Sequence, residues 1–183
     1  GPDVVETATF NAVLVGSGAR EHPLQSDYPC SSSLTNSFFM IKDVTSSYPV
    51  SPTLKTDLTL AGELACTTAN DKGWYFDLPN ACEQVVNKAT SIGGVTYFGT
   101  NQPSSVTVNA CATNLGNARG YAVKIQSGCA QTGATSRSTT FTGGGLPPSP
   151  VSGVVDVDGV KLPFCIGCGS VDDFSAGGST SAS

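Results

Sequence analysis

The chain has 183 residues with 21 Gly, 11 Pro, 22 Ser and 20 Thr, and only 13% of it is charged. Its 39% hydrophobic content and net charge of −5 exclude a disordered chain, and the excess of Gly, Ser, Thr and Val over good helix formers excludes a helical bundle. Nine Lys and Arg scattered through an acidic chain leave no basic footprint for nucleic acid. No apolar run reaches about 18 residues, so no membrane insertion is expected.

Gly1-Pro2 reads as the scar of a cleaved tag, no signal peptide is visible, and residues 3–174 are expected to form one all-β domain. Val5 to Val15 is rich in Thr, Phe and Val and reads as a strand stopped by Gly16-Ser17-Gly18. Phe38 to Ile41 is a short apolar strand, and Gly73-Trp74-Tyr75-Phe76-Asp77-Leu78 is an aromatic one stopped by Pro79-Asn80. Asn80 to Lys88 has two readings: Asn80 capping a short helix with Glu83 in its first turn, or a strand through Val85-Val86, which is preferred. Two tight hairpins follow from turn chemistry. Thr90–Ile92 and Val95–Phe98 flank Gly93-Gly94, while Val154–Val157 and Val160–Leu162 flank Asp158-Gly159. Both dipeptides accept the positive φ of a type I′ turn, whose twist suits paired strands. Gly120 to Ile125 alternates as a further strand, and the Gly/Ser/Thr/Ala segment 175–183 reads as a flexible tail.

Seven cysteines in a Ser/Thr-rich, weakly charged chain point to an oxidising compartment, and the odd number leaves one thiol free or paired elsewhere. Long polar connections over residues 21–37, 44–56, 101–118 and 127–140 need tethers. Cys66 with Cys82, and Cys111 with Cys129, would each close a loop of roughly 15 to 20 residues, worth roughly 3 kcal/mol. Cys165-Ile166-Gly167-Cys168 forms a C-x-x-C. A redox role needs a helix N-terminus and a zinc site needs a second ligand pair, and the sequence offers neither, so a structural disulfide is expected. The thiol without a partner is then Cys30, Cys165 or Cys168.

Candidate chemistry is sparse. Gly16-Ser17-Gly18 lacks the third glycine of a dinucleotide fingerprint and the spacing of a nucleophile elbow. His22 is the sole imidazole, and its setting reads as a turn held by hydrogen bonds. Asp156-Val157-Asp158-Gly159 lacks the closing carboxylate of a calcium loop, and Asp172-Asp173 reads as surface charge. No catalytic residue, cofactor or metal is assigned.

Three apolar segments end in small residues: Val13–Gly18, Tyr97–Asn101 and Phe164–Gly169. Such repeated strand units suggest a modified or partial β-propeller of antiparallel hairpin blades with disulfide-tethered loops, with a β-sandwich as the alternative.

The aromatic strand 73–78, Glu83-Gln84-Val85-Val86 and the segments 92–103, 114–123, 143–151 and 164–167 resemble the C-terminal domain of the PilY/PilC family of type IV pilus tip adhesins and assembly factors. Segments 15–24 and 38–43 are similar to a preceding blade of that domain. The resemblance implies an exported, extracellular protein at the cell surface or pilus tip, with a modified propeller. It implies support of pilus assembly and adhesion by binding, without enzymatic activity. The family's calcium loop has no match here. The partners expected are minor pilins at the pilus tip and a host-cell or abiotic surface, met through the long polar loops. Arg119 has two readings, a tie from loop carbonyls to the strand at Gly120-Tyr121 or an ordinary exposed arginine. The alternative is a secreted hydrolase or thiol oxidoreductase using His22 or Cys165 and Cys168. A purely structural spacer is the third reading.

Overall fold

Alternating apolar and polar residues build twelve strands among the residues described by the computed structural model, namely 1–22, 34–44, 53–103 and 116–168. One turn of 3-10 helix at Lys55–Asp57 is the only helical element among them.

The first sheet contains β1 (Asp3–Glu6), β2 (Asn11–Gly16), β3 (Ser37–Asp43), β4 (Thr59–Leu60) and β5 (Gly73–Asp77), in the order β1-β2-β3-β5-β4. All its pairs are antiparallel except β4 with β5. The single strand expected over Val5 to Val15 is therefore corrected to two strands and a turn. Thr7 makes that turn: its N–H donates to the Phe10 carbonyl at 3.0 Å, and its Oγ1 accepts the Phe10 N–H at 3.1 Å. A threonine hydroxyl here does the work usually left to Asn or Gly.

The second sheet contains β6 (Gln84–Val85), β7 (Thr90–Ile92), β8 (Val95–Gln102), β9 (Asn117–Lys124) and β10 (Ser138–Thr140). Its order is β10-β9-β8-β6, with β7 also paired to β8. The β7–β8 hairpin turns on Gly93 and Gly94, at φ 60° and 83°, as the dipeptide requires. Between Asn80 and Lys88 the strand reading holds at Gln84–Val85. Asn80 and Glu83 form a turn, with the Glu83 N–H on the Asn80 carbonyl at 3.2 Å, and no helix follows.

The third unit is the hairpin of β11 (Val151–Val157) and β12 (Val160–Ile166), turning on Asp158 and Gly159 at φ 53° and 80°. Asp156 Oδ1 accepts the Gly159 N–H at 2.8 Å, so this aspartate serves the turn. None of the three sheets closes on itself.

The first two sheets share one core. Leu14, Phe38, Met40, Trp74 and Phe76 of the first sheet meet Phe98, Tyr121 and Val123 of the second, all buried. Phe38 and Phe98 stack across the sheets with centroids 3.9 Å apart, and Phe98 stacks on Tyr121 at 4.8 Å. Offset aromatic pairs add about 0.5–1.5 kcal/mol each beyond the area they bury. Trp74 spans the same gap: its Nε1 donates to the Ile125 carbonyl at 2.6 Å. Gly128, at φ 68°, lies against the indole, where an added Cβ would come within 2.7 Å of the ring. The aromatic strand and the turn after β9 thus specify each other.

Candidate functional site

The most organised polar region lies on the seam between the two packed sheets. Glu83, 1% exposed, holds three neutral donors. Thr100 Oγ1 and the Tyr121 hydroxyl donate to its Oε1 at 2.6 and 2.8 Å, and Asn80 Nδ2 donates to its Oε2 at 2.6 Å. A buried carboxylate is tolerated when its lone pairs are filled in this way. Burial, and then the charge of Glu83, hold the Tyr121 hydroxyl proton on well above the ordinary tyrosine range. Beside it, Asn36 Nδ2 donates to the Glu83 carbonyl at 2.9 Å, and Ser17 Oγ donates to Asn36 Oδ1 at 3.0 Å. Gln84 completes the seam: its Oε1 accepts the Ala19 N–H at 2.8 Å and its Nε2 donates to the His22 carbonyl at 3.2 Å.

This geometry joins sequence motifs far apart in the chain. Segment 15–22 is stitched to Glu83-Gln84-Val85, with the Val85 N–H on the Ser17 carbonyl at 3.0 Å. Segment 143–150 crosses the outer face of the second sheet in the same manner. Asn101 Nδ2 donates to the Gly145 carbonyl at 2.7 Å and Asn87 Nδ2 to the Pro148 carbonyl at 2.9 Å. An added Cβ at Gly99 would meet the Pro147 ring at 2.6 Å, so the proline packs where only glycine leaves room. Of the segments that carry the family resemblance, the described part of 15–24 is thus locked to 83–86, and 143–151 to the strand within 92–103.

The residues singled out from sequence fall as follows. His22 closes a turn, its N–H on the Ala19 carbonyl at 3.0 Å. Ser17 hydrogen-bonds to Asn36 and to the Ser37 backbone. Arg119 Nη1 donates to Gln102 Oε1 at 3.1 Å, which replaces the expected loop carbonyl by a side-chain amide on the neighbouring strand. Among the described residues no three His, Cys, Asp or Glu side chains come together as metal ligands. The missed residues are Glu83 as a buried hub and Gln84 as a clamp. Neither leaves a periodic trace in the sequence.

The cysteine pairing is also corrected. Cys66 is bonded to Cys129, with Cα atoms 5.2 Å apart, rather than to Cys82, so the Cys111–Cys129 pair is excluded as well. The physical reason is topological. The loop after β4 and the turn after β9 belong to different sheets, and the packed core brings them together across 63 residues. A loop of that length is worth roughly 4 kcal/mol in the chain-entropy model. Cys165 is bonded to Cys168, which gives both of these thiols a partner. Cys82 is disulfide-bonded too. Its partner lies outside the described residues, as do Cys30, Cys111, Asp172-Asp173 and the tail 175–183.

Near the Cys66–Cys129 bond opens a groove of about 870 Å³, lined by Val5, Phe10, Cys66, Lys124, Gln126 and Gln131 among others. Lys124 Nζ stands 3.8 Å from Cys66 Sγ. The connection expected over residues 127–140 is corrected to a loop that ends in β10; it borders the groove and is held from behind by Glu63, which accepts from Ser136 Oγ at 2.8 Å and from the Arg137 N–H at 3.2 Å. These two hydrogen bonds hold the Glu63 carboxyl below its ordinary range. Arg137 lies over the Phe76 ring at 4.1 Å, and its burial lowers the guanidinium pKa. The loop is thus fixed on the core while its polar edge faces out. Three of the four long loops expected to carry recognition have their central residues outside the described set.

No family model matches the chain, and no curated protein matches it significantly. Among solved structures, the chain is similar to the crystal structure of the Pseudomonas aeruginosa PilY1 C-terminal domain, with a TM-score of 0.62 at 14% identity. The likeness covers 91% of this chain and 42% of that one, so the chain spans less than half the length of the solved domain. At that identity the likeness is one of fold, and it agrees with the family that the sequence motifs resemble.

Proposed function

We propose that the chain is part of an exported, type IV pilus-associated protein of the PilY/PilC kind, working by binding rather than catalysis. The observation that carries the reading is the fold likeness to the PilY1 C-terminal domain over 91% of the chain, reached independently of the motifs that resemble that family. Disulfides at Cys66–Cys129 and Cys165–Cys168 fit an oxidising compartment, as export requires.

On this reading the two packed sheets are successive blades of a modified propeller, and the long loops at their ends meet minor pilins at the tip or a host-cell or abiotic surface. The chemistry of the seam supports a scaffold. Glu83, Gln84, Ser17 and Asn36 spend their polar atoms on one another and on backbone. Recognition then rests with loops held on a rigid frame, of which the loop before β10, residues 127–137, is the best described.

Deleting the coding region from its source organism should reduce surface pili, and the purified chain should retain one or more minor pilins in a pull-down. Normal piliation together with no retained pilin would overturn the proposal.

A further inference from the structure

The two halves of the Cys66–Cys129 bond stand in different surroundings. Cys66 is exposed and lines the groove of about 870 Å³, at the apex of a tight turn in which the Thr67 N–H donates to the Ala65 carbonyl at 3.0 Å. Cys129 is fully buried and does not line the groove. A reagent entering the groove therefore meets one sulfur and not the other.

Two polar groups attend the pair. The Lys124 N–H donates to the Cys129 carbonyl at 2.9 Å, which sets the lysine side chain beside the bond, with Nζ 3.8 Å from Cys66 Sγ. Among the described residues no carboxylate pairs with Lys124, and it is the one charged side chain that lines the groove. Behind the bond, the Ser127 hydroxyl lies 3.1 Å from Cys129 Sγ. A disulfide sulfur carries no proton, so the hydroxyl is the donor. Thiol–disulfide exchange is favoured by this arrangement: access to one sulfur along the S–S axis, attraction for an incoming thiolate, and a stabilised leaving sulfur.

We infer that Cys66–Cys129 is an exchangeable disulfide, opened from the groove by a dithiol reductant whose thiolate attacks Cys66. That thiolate bonds to Cys66 Sγ as the Cys66–Cys129 bond breaks, and Cys129 leaves as a thiolate held by the Ser127 hydroxyl. The reductant's second thiolate then displaces Cys66 and closes the reductant's own disulfide. Two electrons pass from the dithiol to the protein, and the two protons that the dithiol gives up end on Cys66 and Cys129. The chain is the substrate of this exchange and not its catalyst. With the bond open, Trp74 on the Ile125 carbonyl and the Ala130 N–H on the Glu63 carbonyl at 2.7 Å still join the two sheets, so the reduced chain stays folded. Cys66 then stands as a thiol in the groove. None of this depends on a pilus, so a failed pull-down leaves it standing.

The test treats the native 183-residue chain at low salt with an anionic dithiol, dihydrolipoate, and separately with a cationic one, dithiobutylamine. Aliquots are blocked with N-ethylmaleimide and peptide-mapped, which gives the rate at which the Cys66 and Cys129 thiols appear. That rate should rise in proportion to thiolate concentration. Lys124→Gln should slow dihydrolipoate about fivefold and dithiobutylamine less than about twofold, with Lys124→Arg close to the parent. A merely structural lysine would move both dithiols alike. Glutathione, a monothiol that cannot resolve its own adduct, should be found on Cys66 after acid quenching and not on Cys129. A rate that ignores thiolate concentration and equals that of global unfolding would overturn the inference, because the bond is then reached only in the unfolded chain. So would glutathione on Cys129, or a Lys124→Gln effect equal for the two dithiols or absent from both.

Discussion

Two hairpins of this molecule are built by the same local rules and end in opposite environments. β7–β8 turns on Gly93-Gly94, and the long strand β8 is covered on both faces, by Phe38 on one side and Pro147 on the other. β11–β12 turns on Asp158-Gly159, has a cleaner apolar face, and leaves that face in water. Turn chemistry and alternation decide that a hairpin forms. What it packs against decides whether it adds stability or offers a surface. The contrast predicts that equal substitutions in the two regions have unequal effects.

The largest effect is expected in the core. Trp74→Ala should cost about 4 kcal/mol, since it empties the space between the sheets and removes the bond to Ile125. Leu162→Ala on the open hairpin of the 183-residue chain should stay within about 0.5 kcal/mol. Urea denaturation of the two variants measures the difference, and similar losses would erase the distinction.

Next comes the bond between the sheets. Cys66→Ser with Cys129→Ser should destabilise by about 3–4 kcal/mol. The gap between parent and variant should close when both are unfolded in reducing agent, because the cross-link is then absent from each.

Smaller again is the seam. Tyr121→Phe should cost about 1–2 kcal/mol by leaving a Glu83 lone pair unfilled. Its pH signature has a definite sign. A tyrosine whose folded pKa is raised gives stability that is intact below the unfolded value of 10.0 and lost as pH rises above it. The parent should therefore lose more stability than Tyr121→Phe between pH 9 and 11 by roughly the tyrosine share. Identical alkaline limbs would contradict the burial of that hydroxyl.

The smallest effect is at the surface. Partial burial acts to raise the Asp77 pKa, but the hydrogen bonds from Lys55 and Ser37 outweigh it and hold the carboxyl below 3.8. Its contribution is present above that unfolded value and is lost as pH falls through the lowered one. The Lys55 and Asp77 side chains are each more than 40% exposed, so Asp77→Asn should cost below about 1 kcal/mol, less in high salt.

Much of this architecture was legible because its causes are local. Gly93-Gly94 and Asp158-Gly159 state their turns in two residues, and Trp74 and Phe76 state a buried face by alternation. The β1–β2 turn was hidden, because Thr7-Ala8-Thr9-Phe10 contains no Gly, Pro or Asn and depends on one hydroxyl. Cys66 could not name Cys129, since only the packing of two sheets brings them together. Between Asn80 and Lys88 the sequence allows Glu83 in a helix's first turn or beside a strand, and neither reading gives a lone carboxylate a buried role. Only Thr100 and Tyr121, from β8 and β9, make it a buried hub. The exposed apolar face was equally invisible as such: its alternation is that of a strand that buries one side, and the sequence does not say what lies against it.

Residue-resolved hydrogen exchange on the 183-residue chain measures the contrast between the two hairpins most directly. The hydrogen-bonded amides of β8 and β9 should exchange only through global unfolding, and those of β11 and β12 should exchange at least about a hundredfold faster, through local opening. Equal protection across both regions would mean that the β11–β12 face is already covered, and would contradict the division into a closed scaffold and an open hairpin.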